Sequence, residues 1–360
     1  MGFYLDTQAT RSTLMSVDST LSENITAAQN YIPIASTTNF STGIVAEIET
    51  TNEVVSFTDI SENNLQYSQT FDNAYWQKLR GVISADATTA PDGTTTAEKL
   101  TQASGVTSNG LIQVAAGVSA VNTVTYVLSI FAKKGTNRNF TWIKETLSRG
   151  GGGITQWFDL DNGTLGSLAP GGSASLANLS DEGDGWYRCS VTFTADATRA
   201  GQVSCGVCET DSSTSNTDDE GFIYIWGFQW EADSTLSTYL PTTTAALVGL
   251  TDVTRGVNGT TAATASSGDA IQQLPYALSA VNMPTRLRGI SVSSDGTGVG
   301  RFTLCDKIGT TLCDIDIPDT RIYDLSFGGG IIFPNGIYVS NSDNITGYTL
   351  YTDKHSGAAL

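Results

Sequence analysis

Asn64-Leu-Gln-Tyr-Ser-Gln-Thr-Phe-Asp-Asn-Ala-Tyr-Trp-Gln-Lys78 decides how this chain is read. The stretch is dense in aromatic and amide side chains. It opens a region that closes with Phe222-Ile-Tyr-Ile-Trp-Gly-Phe-Gln-Trp-Glu231 and Thr238-Tyr-Leu-Pro-Thr-Thr-Thr244. All six tryptophans (Trp76, Trp142, Trp157, Trp186, Trp226 and Trp230) fall between these markers. Such uneven use of the largest apolar side chain marks one domain with its own interior, placed at residues 62–246. The flanking segments then read as the frame that carries it.

Within that region, apolar runs of strand length alternate with turn residues. Val124–Lys134, Phe140–Lys144, Gln156–Leu160, Trp186–Phe193, Gln202–Cys208 and Phe222–Trp230 are the clearest. Clusters such as Gly150–Gly153 and Asp161-Asn-Gly163 separate them, and no helical period intervenes. Many short strands with this punctuation predict an antiparallel β-sandwich or jelly roll.

Working outward, Ile44–Ile48 and Glu53–Thr58 read as half-buried strands joined by a turn. Gly249-Leu-Thr-Asp-Val-Thr-Arg-Gly-Val-Asn-Gly-Thr-Thr-Ala262 resumes the same pattern beyond the aromatic region. The expectation is a small β module split into 31–61 and 247–273, with the aromatic domain inserted in one of its loops. Long insertions are tolerated where loop ends lie close together, because closure entropy grows only slowly with length. Ahead of the module, Leu14, Val17, Leu21 and Ile25 recur every three or four residues, so 1–30 reads as a short helix or an attachment arm. Beyond it, 274–360 carries about seven short strands and reads as a second, smaller β-sandwich. The fold class expected is all-β and multi-domain.

Composition narrows the function. Only 15% of residues are charged, and the net charge is -18. Nucleic-acid binding needs clustered Lys and Arg, and docking on anionic lipid needs the same, so neither partner is expected. No signal peptide and no apolar run long enough to cross a membrane is visible. A Ser- and Thr-rich, acidic surface without an export signal suits a protein released by lysis.

Chemistry finds little to work with. His355 is the sole histidine and sits near the last residue, and no nucleophile elbow or phosphate loop is present. Asp181, Glu182 and Asp184 cluster in a Gly-rich turn. Cys205-Gly-Val-Cys208 stands without a second pair and reads as two strand residues, one buried and one exposed. Two acidic loops, Asp159–Gly163 and Asp211–Glu220, offer oxygens for calcium, but a hairpin turn and a solvated loop are the favoured readings. No cofactor, metal or catalytic residue is therefore expected, and the chain reads as a non-enzyme.

Three resemblances extend this. The segments Ile32–Thr58 and Leu250–Thr261 resemble the two halves of a small β module recurrent in phage tail and virion proteins. Residues 64–244 resemble the carbohydrate-binding-module-like jelly rolls of phage tail and head-fibre proteins. The markers are Asn64–Trp76, Ala90–Leu100, Gly183-Asp-Gly-Trp-Tyr-Arg188, Trp226-Gly-Phe-Gln-Trp-Glu231 and Thr238–Thr242. The C-terminal region is similar to small β domains of marine phage structural proteins. These resemblances imply a tailed-phage virion protein, a capsid decoration or head-fibre-like accessory. It would contact other virion proteins and form a homo-oligomer, with a trimer favoured. The alternative they imply is a tail-fibre or receptor-binding adhesin that grips host glycan. Sugar binding requires exposed aromatic faces beside polar groups, which makes Trp76, Trp142, Trp157 and Trp230 the candidate stacking residues. Trp186 and Trp226 are assigned to the core.

Overall fold

The computed structural model describes residues 19–354, except 39, 41–44, 49, 52, 106–109, 170–174, 214–215, 217–220, 258–260, 274–284, 295, 307–310, 319–321 and 335–336. The regular structure of the described chain is β-strand apart from a single 3₁₀ turn at Arg149–Gly151. It divides into two compact units. One is the continuous segment Ser61–Val248, and the other is built from the residues before and after it. The strand Asp59–Asn63, which leads into the continuous unit, neighbours Leu247–Thr251, which leads out of it, in a three-stranded sheet completed by Ile32–Ile34.

The continuous unit is a sandwich of two six-stranded sheets. Its eight inner strands, in chain order, are Ala97–Gln102, Leu111–Val114, Thr125–Lys134, Phe140–Glu145, Ile154–Asp159, Trp186–Thr194, Val203–Cys208 and Phe222–Glu231. One sheet holds the first, eighth, third and sixth of these side by side; the other holds the second, seventh, fourth and fifth. That interleaving is the double Greek key of a jelly roll. Gly81–Thr88 and Ser175–Gly183 extend the first sheet, and Trp76–Leu79 and Thr164–Ala169 extend the second.

Period-two patterning builds the interior. Tyr126, Leu128, Ile130 and Ala132 project inward from one strand and meet Ile143, Phe158 and Val207 from the facing sheet. Phe131, one residue out of phase, belongs to a separate cluster outside the sandwich. The last strand breaks its own alternation. Ile223 and Ile225 point inward, but so do Phe228 and Trp230. The register shifts between Ser129 and Phe131 opposite, where Gly227 adopts a φ of 62°. This β-bulge lets Trp226 face outward while Trp230 faces in.

In the second unit, Ser19–Thr20, Ala270–Gln273, Val45–Ile48 and Glu53–Ser56 form a four-stranded sheet. Residues expected as a helix are extended here: Leu21 bridges Ile34 and Ile25 bridges Ala265, and both side chains are buried. The three-to-four spacing reflects two separate insertions into a β core, while Leu14 and Val17 lie outside the described residues. Further along, six strands form two three-stranded sheets around Leu287, Ile290, Phe302, Leu304 and Phe333. The sequence suggested about seven. Tyr323–Phe327 and Gly330–Phe333 are one continuous strand, Ile322–Phe333, whose pairing with Thr285–Ser294 slips opposite Arg288. Gly328 and Gly330 absorb the slip with φ values of 48° and 83°.

Candidate functional site

Trp142 and Trp157 sit directly opposite each other on neighbouring strands of the second sheet. Both point away from the sandwich interior, because Ile143 and Phe158 beside them take the inward places. Gly206, the partner of Trp142 on its other side, is what gives the indole room. A Cβ there would lie 2.2 Å from Cζ2 of Trp142. Cys208 joins the same outer cluster.

A cleft of about 290 Å³ opens over this pair. Trp142, Trp157 and Leu111 supply its apolar floor, and Gln113, Lys144, Gln202 and Ser204 stand around it. All except Gln202 lie on strands of that sheet, spaced two apart from a floor residue or its cross-strand partner, so alternation alone brings them to the outer face. Arg80 completes one lip from the link between Trp76–Leu79 and Gly81–Thr88. It is held at a φ of 54°, a conformation sparsely populated for residues other than glycine. Arg80 and Lys144 give the cleft two cationic side chains, and among the described residues no carboxylate lines it. Gln113 is oriented by donating to Oε1 of Gln77 at 2.7 Å. The Trp157 indole donates to the carbonyl of Ser213 at 3.2 Å, while the buried N–H of Trp142 meets no acceptor among the described residues.

The other aromatic cluster outside the sandwich is closed. Trp186 donates to the carbonyl of Thr89 at 3.1 Å and Trp226 to the hydroxyl of Thr96 at 3.0 Å, so both indoles are covered and satisfied. Both are buried, but against the outer surface of the first sheet and not in the central core.

Of the four candidate stacking residues, only two reach the cleft. Trp76 lies in the interior, stacked on Phe228 at 5.3 Å between ring centroids, with its N–H bound to the carbonyl of Tyr67 at 2.9 Å. Trp230 is stacked on Tyr126 at 4.6 Å in the same core. Neither presents a face to solvent, so both are corrected to structural residues. Trp142 and Trp157 are themselves only 6% and 4% exposed, so a ligand in the cleft meets only a small part of each ring. Lys144 was not among the candidates, although the strand pattern places it two residues from Trp142, on the same face. Arg80, Gln113 and Gln202 were missed, since no local signal ties their segments to that face.

The remaining candidates have structural employment. Asp159 accepts the N–H groups of Asp161 and Asn162 at 2.9 and 3.1 Å, an Asx turn that closes the hairpin to Thr164. Asp211 receives the N–H and hydroxyl of Ser167 at 2.8 and 2.7 Å. Asp181 and Glu182 bond within the turn that precedes Trp186. Among the described residues no three His, Cys, Asp or Glu side chains converge. His355 lies outside the described residues. Cys205 and Cys208 are both buried, which corrects the expectation that one is exposed: Cys205 faces the core and Cys208 is covered by the outer tryptophan cluster. Burial pushes both thiols far up. No family model and no curated protein matches this sequence.

Proposed function

We propose that this chain is a non-enzymatic structural protein of a tailed-phage particle, a decoration or head-fibre-like accessory that displays a jelly roll from a small β base. The observation that carries the reading is the way the jelly roll is mounted. It is one continuous insert whose incoming and outgoing strands are neighbours in a single sheet. Glu53 and Arg255, which flank the insert in sequence, form a buried ion pair within the other unit. Such a mount suits a module carried for display, with the acidic, charge-poor surface suited to an exterior. Contacts to other virion proteins and closure into a homo-oligomer, a trimer foremost, belong to this reading, since a repeated lattice reuses one interface. Among the described residues the cleft is lined by aromatic, amide, hydroxyl and cationic side chains, a set suited to binding.

The cleft favours a second reading, a receptor-binding adhesin whose jelly roll grips host glycan. Its paired tryptophans and ring of amide and cationic groups are the ingredients of a saccharide site. Imaging the particle with the chain labelled tests the first reading: density on the capsid surface is expected, and absence from the particle overturns it. Placement at the tail tip transfers support to the adhesin.

A further inference from the structure

We infer that the cleft on the outer face of the second jelly-roll sheet is a site for an acidic saccharide, whose ring lies over Trp142 and Trp157 and whose carboxylate or sulfate is held by Arg80 and Lys144. This rests on the adhesin reading of that cleft and names its ligand class.

The argument is one of local sign. The chain carries 36 acidic residues against 18 basic ones, so a random patch of its surface is acidic. This cleft is the reverse: both of its charged side chains are cations. Lys144 is half-buried and makes no ion pair among the described residues. Arg80 is exposed at the lip and Lys144 is half-buried beside the apolar floor, so an anion lying between the two cations is favoured. Arg80 is brought to the lip by a backbone conformation that residues other than glycine rarely adopt. A guanidinium matches a carboxylate or sulfate through parallel N–H donors, whereas the ammonium of Lys144 acts as a point charge.

The rest of the recess suits a polyhydroxylated ring and not a bare ion. Gln113, Gln202 and Ser204 offer amide and hydroxyl groups around an apolar floor. Sugar hydroxyls can both donate and accept, which matches this mixed lining.

The test is calorimetric titration of the full chain with four probes: a galacturonic acid trisaccharide, the neutral galactose trisaccharide of the same linkage, a sulfated galactose disaccharide, and inorganic sulfate. Binding of an acidic sugar at least ten-fold tighter than the neutral one is expected, weakening as salt is raised. Lys144→Gln and Arg80→Gln should each weaken that binding by about ten-fold, and Lys144→Glu should abolish it, with the thermal melting temperature unchanged in all three. Equal affinity for the neutral trisaccharide overturns the acidic assignment and leaves the saccharide reading standing. Equal affinity for inorganic sulfate overturns the saccharide part, and no binding by any probe overturns both.

Discussion

Arg255 and Glu53, 202 residues apart in the chain, form a two-pronged ion pair: Nε donates to Oε1 at 2.7 Å and Nη2 to Oε2 at 2.8 Å. Neither group is left with idle capacity. The carboxylate also accepts the N–H of Gly256 and of Ala263, each at 3.0 Å, and the guanidinium reaches the carbonyls of Thr26, Gln29 and Ala263. One buried pair thus ties the segment before the jelly roll to the segment after it. With nearly every lone pair and donor met, it satisfies the conditions under which burying charge is tolerable.

Arg255→Ala should therefore strip Glu53 of its counter-charge and cost about 3–5 kcal/mol in the unit that holds it. Because every tryptophan lies between Ser61 and Val248, fluorescence reports only the jelly roll. The expected result is a calorimetric transition that moves down while the fluorescence-detected transition stays in place. A shift of both together would show that the two units unfold as one.

Gly227→Ala attacks the bulge. The position needs a φ of 62°, and an added Cβ would lie 2.9 Å from Cδ2 of Phe131 and 3.1 Å from Cζ of Tyr239. Conformational strain alone costs about 1–3 kcal/mol, and the crowding of two rings adds to it. Urea unfolding followed by tryptophan fluorescence should show the midpoint fall.

Glu98 makes the stability of the jelly roll depend on pH. Burial pushes its carboxyl from 4.5 up to about 8, with Asp72 and then Asp86 adding repulsion, against the N–H groups of Phe71 and Asp72 that favour the charge. The folded state therefore holds this proton more tightly than the unfolded chain. Its contribution is greatest below pH 4.5, declines as pH rises toward 8, and levels off above. Glu98→Gln should raise the melting temperature at pH 8 relative to the parent and give no difference near pH 4.5. An equal shift at both values would assign the effect to packing.

The thiols should be silent in the native protein. All five cysteines are buried and unpaired with each other, and burial raises Cys189, Cys205 and Cys208 well above the ordinary thiol range. Since the thiolate is the reactive species, a disulfide reagent should label none of them until denaturant is added. Rapid native labelling would mean that the Cys205–Cys208 strand opens locally.

Trp76→Ala and Trp142→Ala should differ in kind. Trp76 is stacked in the centre of the core, so its removal should cost about 3–5 kcal/mol. Trp142 lies on the outer sheet face, and its loss should cost less in urea unfolding while changing ligand affinity, which Trp76→Ala should leave intact once the variant is folded.

Much of this architecture was legible in the residues. Strand-length apolar runs bounded by Gly and Asn specified antiparallel β-structure, because alternation and turn chemistry are local properties. The concentration of tryptophan marked off the region that forms the jelly roll for a similar reason: large apolar side chains accumulate where an interior must be filled. What local pattern could not settle is which face each aromatic takes. Trp226 and Trp230, four apart in one strand, belong on the same side by simple alternation, yet the bulge at Gly227 sends one outward and one inward. Trp142 and Trp157 became a site only because the hairpin register sets them opposite each other. Arg80 and Gln202 joined them from segments distant in sequence. Face and register arise from long-range pairing between strands, so the tertiary structure alone decided that two tryptophans build the core and two others floor a cleft.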